Sequence, residues 1–274
     1  MSKERRSNQD AESVNRDFWD EIAPVHLEAY KEVGMLREGI EVLDEIELRE
    51  VGDVAGKSML HLQCHIGTDT LAWVRHGAQV TGLDFSGESI VCAERLRDEL
   101  GLEARFVHAN VYDAKEAIQE TFDIVYTSKG VLTWLPDIDA WARIVAHFLK
   151  PGGVFYLMEM HPFLNVIEME TPGDLTFKYR YFHRDEPVIW ADDADYANPD
   201  YVAKNPSHEW DWTVSDIVNV LLGAGLELEF VHEYEKLFFQ LFSDMATEDG
   251  RWFSLPDYAG KLPLLLTLRA RKPC

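Results

Sequence analysis

The sequence predicts an α/β fold built on a seven-stranded, mostly parallel sheet with helices on both faces. Between residues 57 and 160, short apolar runs alternate five times with helical segments, the pattern of parallel strands joined by right-handed crossovers. After residue 213 a helix and two further strands follow and complete the sheet. Between these parts, residues 162–212 break the alternation and are rich in Tyr, Trp, Phe and Asp, which indicates an insertion after the fifth strand.

The individual elements follow from apolar periodicity and from turn residues. The predicted strands cover residues 57–64, 78–85, 103–110, 122–128, 154–160, 226–235 and 263–271. The predicted helices cover residues 18–30, 37–50, 68–77, 87–100, 111–120, 138–153 and 213–225. Pro24 is expected to interrupt or bend the first helix, because proline lacks the amide that a helix interior needs.

The chain is expected to divide into four parts. They are an N-terminal helical cap (1–50), a ligand-binding core (51–161), an inserted substrate cover (162–212) and a C-terminal part of the core sheet (213–274). In the insertion, Phe177, Tyr179, Tyr181 and His183 recur with a two-residue period, which predicts a β-type cover with one aromatic face.

Composition limits the classes of partner. Lys and Arg number 26 against 49 Asp and Glu, a formal charge of −23, so nucleic acid and anionic membranes are not expected partners. The three cysteines are scattered and form no Cys-x-x-Cys pair, and the first seventeen residues are polar. A cytoplasmic protein without a membrane segment is therefore expected.

Ligands of open α/β sheets bind beyond the carboxyl ends of the strands. There, Gly67 opens the helix after the first strand, and Asp84 ends the second strand, where a carboxylate can accept hydrogen bonds from both hydroxyls of a ribose. Taken singly, Gly67 also fits a plain strand-to-helix turn and Asp84 a helix cap. Their spacing favours a nucleoside site.

A dinucleotide site fits this loop poorly. Gln63 and His65 stand where a G-x-G-x-x-G loop has the glycines that let a pyrophosphate approach the backbone. S-adenosylmethionine carries no phosphate, so its methionine portion needs no such loop.

The loop from Leu60 to Gly67 reads LHLQCHIG and is similar to the L-D-L-G-C-G-x-G motif of class I S-adenosylmethionine-dependent methyltransferases. The chain resembles this family over residues 15–160, and more weakly towards the end. His61 stands in place of the acid, and Gln63 and His65 in place of two glycines, which we interpret as a subfamily variant. The resemblance implies a Rossmann-like fold and methyl transfer from S-adenosylmethionine to an O or N atom of a small molecule or short peptide.

The resemblance also implies cofactor contacts. Asp84 corresponds to the ribose-binding acid, Phe85 to a neighbour of the adenine, and Asn110 to an acceptor for the adenine amino group. The complete expected set is Phe18, His26, Leu62, Cys64, Gly67, Asp84, Phe85, Asn110, Val111, Ser128 and Lys129.

Methyl transfer to a hydroxyl or a protonated amine requires that a proton leave, so a base is sought near the fifth strand. Glu159 and His161 share one face at the end of that strand, and His161 is the first candidate. His183 is the second, and His26 a weaker third. Each has a plain alternative: His161 as the cap before Pro162, and the face of His183 as packing.

Tyr179, Tyr181 and Trp134 are expected to contact the acceptor. Asp192, Asp193 and Asp195 suggest a cation site, but carboxylates alone do not specify a metal, so a solvated acidic loop and no metal are expected.

Two other functions stay open. A non-catalytic protein that binds S-adenosylmethionine would keep the same loop, and an NAD(P)-dependent oxidoreductase would share the strand, the glycine and the distal acid. The missing glycine fingerprint disfavours the oxidoreductase.

Overall fold

The computed structural model describes residues 3–168, 175–191, 194–247 and 249–274. The strands are β1 (Ser58–Leu62), β2 (Gln79–Asp84), β3 (Arg105–His108), β4 (Phe122–Ser128), β5 (Leu149–Met160), β6 (Val188–Trp190), β7 (Ser207–Glu209), β8 (Glu227–Tyr234), β9 (Ala246–Thr247), β10 (Phe253–Ser254) and β11 (Leu265–Arg271). The helices are α1 (Lys3–Ala29), α2 (Lys31–Glu38), α3 (Glu45–Val51), α4 (Thr68–Arg75), α5 (Gly87–Leu100), α6 (Ala114–Ala117), α7 (Ile138–Phe148) and α8 (Val214–Gly223).

Seven strands form one sheet in the order β3-β2-β1-β4-β5-β11-β8. The first five strands in this order, β3 to β5, run parallel to one another. β11 runs antiparallel to both β5 and β8. This confirms the predicted fold class. The strand order reverses between β1 and β4, so the carboxyl ends of these strands frame the crevice in which such sheets bind ligands.

The sheet is buried between two apolar layers. Trp73 of α4 and Tyr126 of β4 belong to the layer shared with α2 and α3, whereas Trp141 of α7 and Leu221 of α8 belong to the opposite layer. All four side chains are almost fully buried. Both faces are therefore covered, as the near-continuous apolar strands require.

Three helix predictions need correction. Pro24 lies inside α1, which continues to Ala29, so the expected interruption is wrong. Instead of one helix over residues 37–50, the chain forms α2 and α3 with a break after the left-handed Gly39. The helix expected over residues 111–120 is instead a 3₁₀ turn, capped by Asn110, followed by the four-residue α6.

The inserted cover differs from the expected strand. Residues 175–184 make one isolated bridge, between Phe177 and Ile167, and the paired strands are instead β6 and β7. Backbone hydrogen bonds join residues 176–179 to residues 166 and 168, and beyond them Arg180 forms an ion pair with Asp211 and donates to a backbone carbonyl. The backbone pairing is thus too short for the expected strand. The division of the chain at residues 50, 161 and 212 stays a prediction. Among the described residues, no helix is long and apolar enough to cross a bilayer.

We expect Gly67→Ala to lower the free energy of unfolding by about 2–4 kcal/mol, because the residue combines a left-handed backbone with crowding. Its φ is 76°, and a Cβ would lie 2.8 Å from the Phe106 Cζ and 3.1 Å from the Ala93 Cβ. Gly39 is the matched control: its φ is 74°, and a Cβ added there would enter open space among the described residues. Gly39→Ala should cost about 1–2 kcal/mol. Urea denaturation measures both, and equal losses would contradict the crowding.

Candidate active site

The cofactor loop, residues 63–67, keeps a backbone that normally calls for glycine. Gln63 has a φ of 56° and His65 a φ of 48°, both in the left-handed region. The His65 amide donates to the Asp84 Oδ2 at 2.8 Å, and the Cys64 amide donates to the Leu83 carbonyl at 3.0 Å. The loop at the end of β1 is thus tied to the end of β2 although two expected glycines are missing.

Asp84 is a buried acid at the end of β2. Its Oδ1 accepts the Ser86 amide at 2.9 Å, and its Oδ2 accepts the His65 amide. Burial raises the pKa of Asp84 to about 6 even though these amides favour the charged form. A carboxylate has about four acceptor sites. At least one hydroxyl can therefore still donate to it.

The Gln63 side chain supplies an independent sign of a ligand. Its Oε1 is buried and accepts no hydrogen bond from any described residue. A buried acceptor without a donor costs about 1–3 kcal/mol, so such atoms in native proteins call for an explanation. A bound molecule that donates a hydrogen bond at the end of β1 would satisfy it.

Asn110 is engaged on both sides of its amide. Its Oδ1 accepts the Tyr112 amide at 3.0 Å and so caps the 3₁₀ turn that begins at the buried Val111. Its Nδ2 donates to the Glu12 Oε2 at 2.8 Å. Glu12, on α1, has a pKa raised to about 7 by burial. Sequence reasoning missed Glu12, because nothing in its neighbourhood along the chain links it to the end of β3.

The residues after β4 make a second polar group. The Ser128 Oγ donates to the Asp69 Oδ2 at 2.9 Å. The Lys129 Nζ lies 2.9 Å from the Glu47 Oε2 and 3.3 Å from the Asp44 Oδ2. Burial alone would lower the pKa of Lys129, but these carboxylates raise it well above its usual value. The Lys129 side chain is therefore held against α3 as a cation.

Helix α1 lies over the cofactor loop with its aromatic residues. The Trp19 ring is 4.8 Å from the His65 ring and 4.9 Å from the Trp134 ring, and Phe18 stacks on Trp134 at 5.8 Å. The Asp20 Oδ1 accepts the Ser86 Oγ–H at 2.6 Å. Trp134, expected to contact the acceptor, therefore packs against α1.

A chain of polar side chains links four elements through His26, which is fully buried. The His65 Nδ1 lies 2.9 Å from the Ser89 Oγ, and its Nε2 lies 2.8 Å from the His26 Nδ1. The His26 Nε2 lies 2.8 Å from the Asp195 Oδ2. His26 thus meets the cofactor loop through His65 rather than standing apart as a base. Asp192 and Asp193 lie outside the described residues.

A cavity of about 120 Å³ lies beyond the ends of β4 and β5, under the cover. Its lining consists of Gly130, Leu132, Thr133, Glu159, Met160, Pro162, Asn165, Ile167, Tyr179, Val188, Trp190, Glu209, Trp210, Asp211, Trp212 and Ile217. Four of these residues are aromatic and three are acidic, and this described lining contains no Lys, Arg or His. We call it the acceptor cavity.

Glu159 is the buried acid of this cavity. Its Oε2 accepts the Gly130 amide at 2.9 Å, and its Oε1 accepts the amides of Val131 and Leu132. Burial nevertheless raises the pKa of Glu159 to about 7. The group can therefore exchange a proton near neutral pH, and it also fixes the loop after β4.

The two histidines proposed as bases lie outside this lining. The His161 Nδ1 accepts the Phe163 amide at 3.1 Å, and its Nε2 lies 2.9 Å from the Glu233 Oε1, so both ring nitrogens are engaged. His183 stacks on Trp212 at 3.8 Å, and its Nδ1 donates to the Asp211 carbonyl at 3.0 Å. The geometry favours a capping role for His161 and places His183 behind the cavity wall. Their roles as bases are not tested.

Of the other expected acceptor contacts, Tyr179 lines the cavity and packs edge-on against Trp190 at 5.3 Å. Tyr181 instead packs near Phe163, and its hydroxyl accepts the Val214 amide at 3.4 Å. Sequence reasoning missed Glu209, although it stands in an alternation of acidic and aromatic residues.

Comparison with known proteins identifies the core. Residues 60–155 match the sequence profile of a family described as a methyltransferase domain. Over these residues the chain is therefore similar to a methyltransferase domain. The antiparallel position of β11 also departs from the all-parallel dinucleotide-binding sheet, which disfavours the oxidoreductase alternative.

Curated relatives and solved structures agree with this domain. Two ubiquinone biosynthesis O-methyltransferases are similar: that of Serratia proteamaculans is 30% identical over 163 residues, 58% of this chain and 60% of the relative, and that of Photorhabdus laumondii is 31% identical over 149 residues, 53% and 57%. The chain thus spans about three fifths of the length of these relatives.

Two solved structures share the fold. An S-adenosylmethionine-dependent methyltransferase from Mesorhizobium loti has a TM-score of 0.57 and 22% identity, with 83% of this chain and 96% of that chain covered. A DhpI–SAH complex has a TM-score of 0.56 and 16% identity, with 96% and 97% covered.

The Glu12–Asn110 contact gives a pH-dependent prediction. Because the folded pKa of Glu12 is about 7, above the usual value of 4.5, the native state holds more protons than the unfolded chain between these values, and this group lowers stability as pH rises. Glu12→Gln keeps the acceptor for Asn110 but removes the titration. The variant should match the native protein near pH 5 and exceed its stability by about 1–3 kcal/mol at about pH 8. Urea denaturation at both pH values checks this, and a constant difference would contradict it.

Proposed function

We propose that this chain is an S-adenosylmethionine-dependent methyltransferase that methylates an oxygen atom of a small molecule. One observation carries the proposal: the left-handed cofactor loop is bonded to the buried Asp84 and presents the orphaned Gln63 Oε1 at the switch point of a methyltransferase sheet. The names of the O-methyltransferase relatives support oxygen as the acceptor atom. A short-peptide acceptor, a nitrogen acceptor and a cytoplasmic location stay predictions from the sequence.

The residues at this edge fit the parts of the cofactor. Asp84 would hold the ribose hydroxyls, and the amide after Asn110, at Val111, would face the adenine together with Phe85. Leu62, Cys64, Gly67 and Ser128, at the ends of β1 and β4 and the start of α4, would contribute backbone around the methionine portion. The Cys64 thiol is not a reactive group, because burial raises its pKa well above the usual value.

The bound cofactor supplies an electrophilic methyl group on a positively charged sulfur. Methylation of a hydroxyl by that group would also require the hydroxyl proton to leave. The chain supplies alignment, exclusion of water and a proton acceptor. Glu159 is our candidate for that acceptor because it lines the cavity and titrates near pH 7.

The charge of the residues that line the acceptor cavity restricts the chemical class of the acceptor. Glu159, Glu209 and Asp211 put three acids into one cavity, and Arg180 reaches Asp211 from outside the lining. A carboxylate or phosphate on the acceptor would be repelled there and would leave its hydration without gaining a cation. The aromatic walls favour a flat apolar body. The acceptor is therefore a neutral or cationic hydroxyl compound.

Asp84→Asn tests the cofactor site. It should weaken S-adenosylhomocysteine binding at least about tenfold in calorimetry, since hydrogen bonds to a charged acceptor contribute about 1.5–3 kcal/mol each. Asp244→Asn, at an exposed position, serves as the control and should bind normally. Thermal unfolding checks that Asp84→Asn is folded. Unchanged affinity in the folded variant would remove Asp84 from the site.

Matched acceptors test the charge of the cavity. Hydroxylated aromatics should be methylated with kcat/KM at least about tenfold higher when a methyl group replaces a carboxylate of similar size, as in 4-methylcatechol against 3,4-dihydroxybenzoate. Asn165→Lys places a cation in the lining and should narrow this ratio, whereas Asn165→Gln should not. Preference for the carboxylate in the native protein would reject the assignment.

A further inference from the structure

His65 stands in the cofactor loop where the motif has a glycine, and its side chain makes contacts that a glycine could not make. A left-handed backbone costs a non-glycine residue roughly 1–2 kcal/mol. The His65 ring is nevertheless fully engaged, by Ser89 on one side and His26 on the other, with the Trp19 ring 4.8 Å away. A glycine would keep the amide bond to Asp84 but would lose all of these contacts.

One assignment of donors and acceptors satisfies every hydrogen bond in this chain of side chains. The Ser89 hydroxyl donates to the His65 Nδ1, the His65 Nε2 donates to the His26 Nδ1, and the His26 Nε2 donates to Asp195. Burial lowers the pKa of His65 well below its usual value, which keeps that ring neutral. The acid at the end of the chain, Asp195, belongs to the cover.

The same cover segment is bound to α1 at further points. The Asp195 Oδ1 accepts the amides of Ala197 and Asn198 at 3.0 and 2.8 Å, which shapes the loop. Glu21 of α1 accepts the Tyr201 hydroxyl at 2.8 Å and the amides of residues 204 and 205. Asn15 exchanges two hydrogen bonds with His208 at the start of β7. Glu209, the last residue of β7, and the next three residues, Trp210, Asp211 and Trp212, line the acceptor cavity.

We propose that His65, His26 and Asp195 are positioning residues that fasten the acceptor cover to the cofactor loop, so that the wall of the acceptor cavity forms against a loop already set for the cofactor. This inference rests on the proposed function for its catalytic consequence. His65 acts on the cofactor side through its backbone and on the cover through its ring. Asp195 touches neither cofactor nor acceptor and acts through His26.

The experiment is a double-mutant cycle of His65→Gly, Asp195→Asn and the double variant. His65→Gly should keep the affinity for S-adenosylhomocysteine within about threefold, because the amide to Asp84 remains. Both single variants should lower kcat/KM for the acceptor at least about tenfold. The double variant should have a kcat/KM no lower than either single variant, because both substitutions interrupt the same series of hydrogen bonds. Asp200→Asn, exposed on the same loop, should behave like the native protein.

Hydrogen exchange gives a readout that needs no turnover. In His65→Gly, amides of residues 195–209 should exchange at least about tenfold faster, although they lie in the cover and not in the mutated loop. Unchanged exchange there, additive losses in the double variant, or equal losses of cofactor affinity and acceptor turnover would each overturn the proposal. A native protein that binds no S-adenosylhomocysteine would refute the proposed function but leave the exchange test of the coupling intact.

Discussion

The amide of His65 donates to Asp84, and this single bond between the ends of β1 and β2 determines the geometry of the rest of the site. It holds the cofactor loop in the left-handed turn that carries the chain from β1 into α4, with Gly67 as the first residue after the turn. It also supplies one of the donors that a desolvated carboxylate requires. Without it, Asp84 would have one hydrogen-bond donor fewer, and the loop would lose a bond that stabilises its left-handed conformation.

Buried acids dominate the electrostatics of this edge. Burial raises the pKa values of Glu12, Asp84 and Glu159 to about 7, 6 and 7, and each acid accepts its hydrogen bonds from neutral donors instead of a basic side chain. Their ionised forms create a negative field in a poorly hydrated crevice. Such a field favours a ligand with a positively charged sulfur and disfavours anionic acceptors.

The sequence predicted what local patterns encode. The alternation of apolar runs and helices predicted the order of the core elements, and the positions of Gly67 and Asp84 after the first two strands predicted where a cofactor would bind. The sequence did not predict the parts of the structure that depend on contacts between residues far apart in the chain. The two-residue period of residues 176–184 predicted a strand, but the backbone pairs with residues 166–168 only as far as residue 179, and Arg180 then bonds to Asp211 across the cover. Glu12 reaches Asn110 over 98 positions of sequence, a distance that no periodicity reveals.

The exchange of glycine for histidine at position 65 shows why a motif read as letters can mislead. Glycine is usual at such a turn because it adopts a left-handed φ without strain, yet it also loses more conformational freedom on folding than any other residue. Histidine meets a strain of roughly 1–2 kcal/mol, and the ring contacts to Ser89 and His26, at about 0.5–1.5 kcal/mol for each hydrogen bond, offset it. His65 thereby keeps a left-handed φ of 48°. A glycine at this position could form hydrogen bonds only through its backbone. The His65 side chain also bonds to His26, which bonds to Asp195, and so links the loop to the segment that forms the wall of the acceptor cavity.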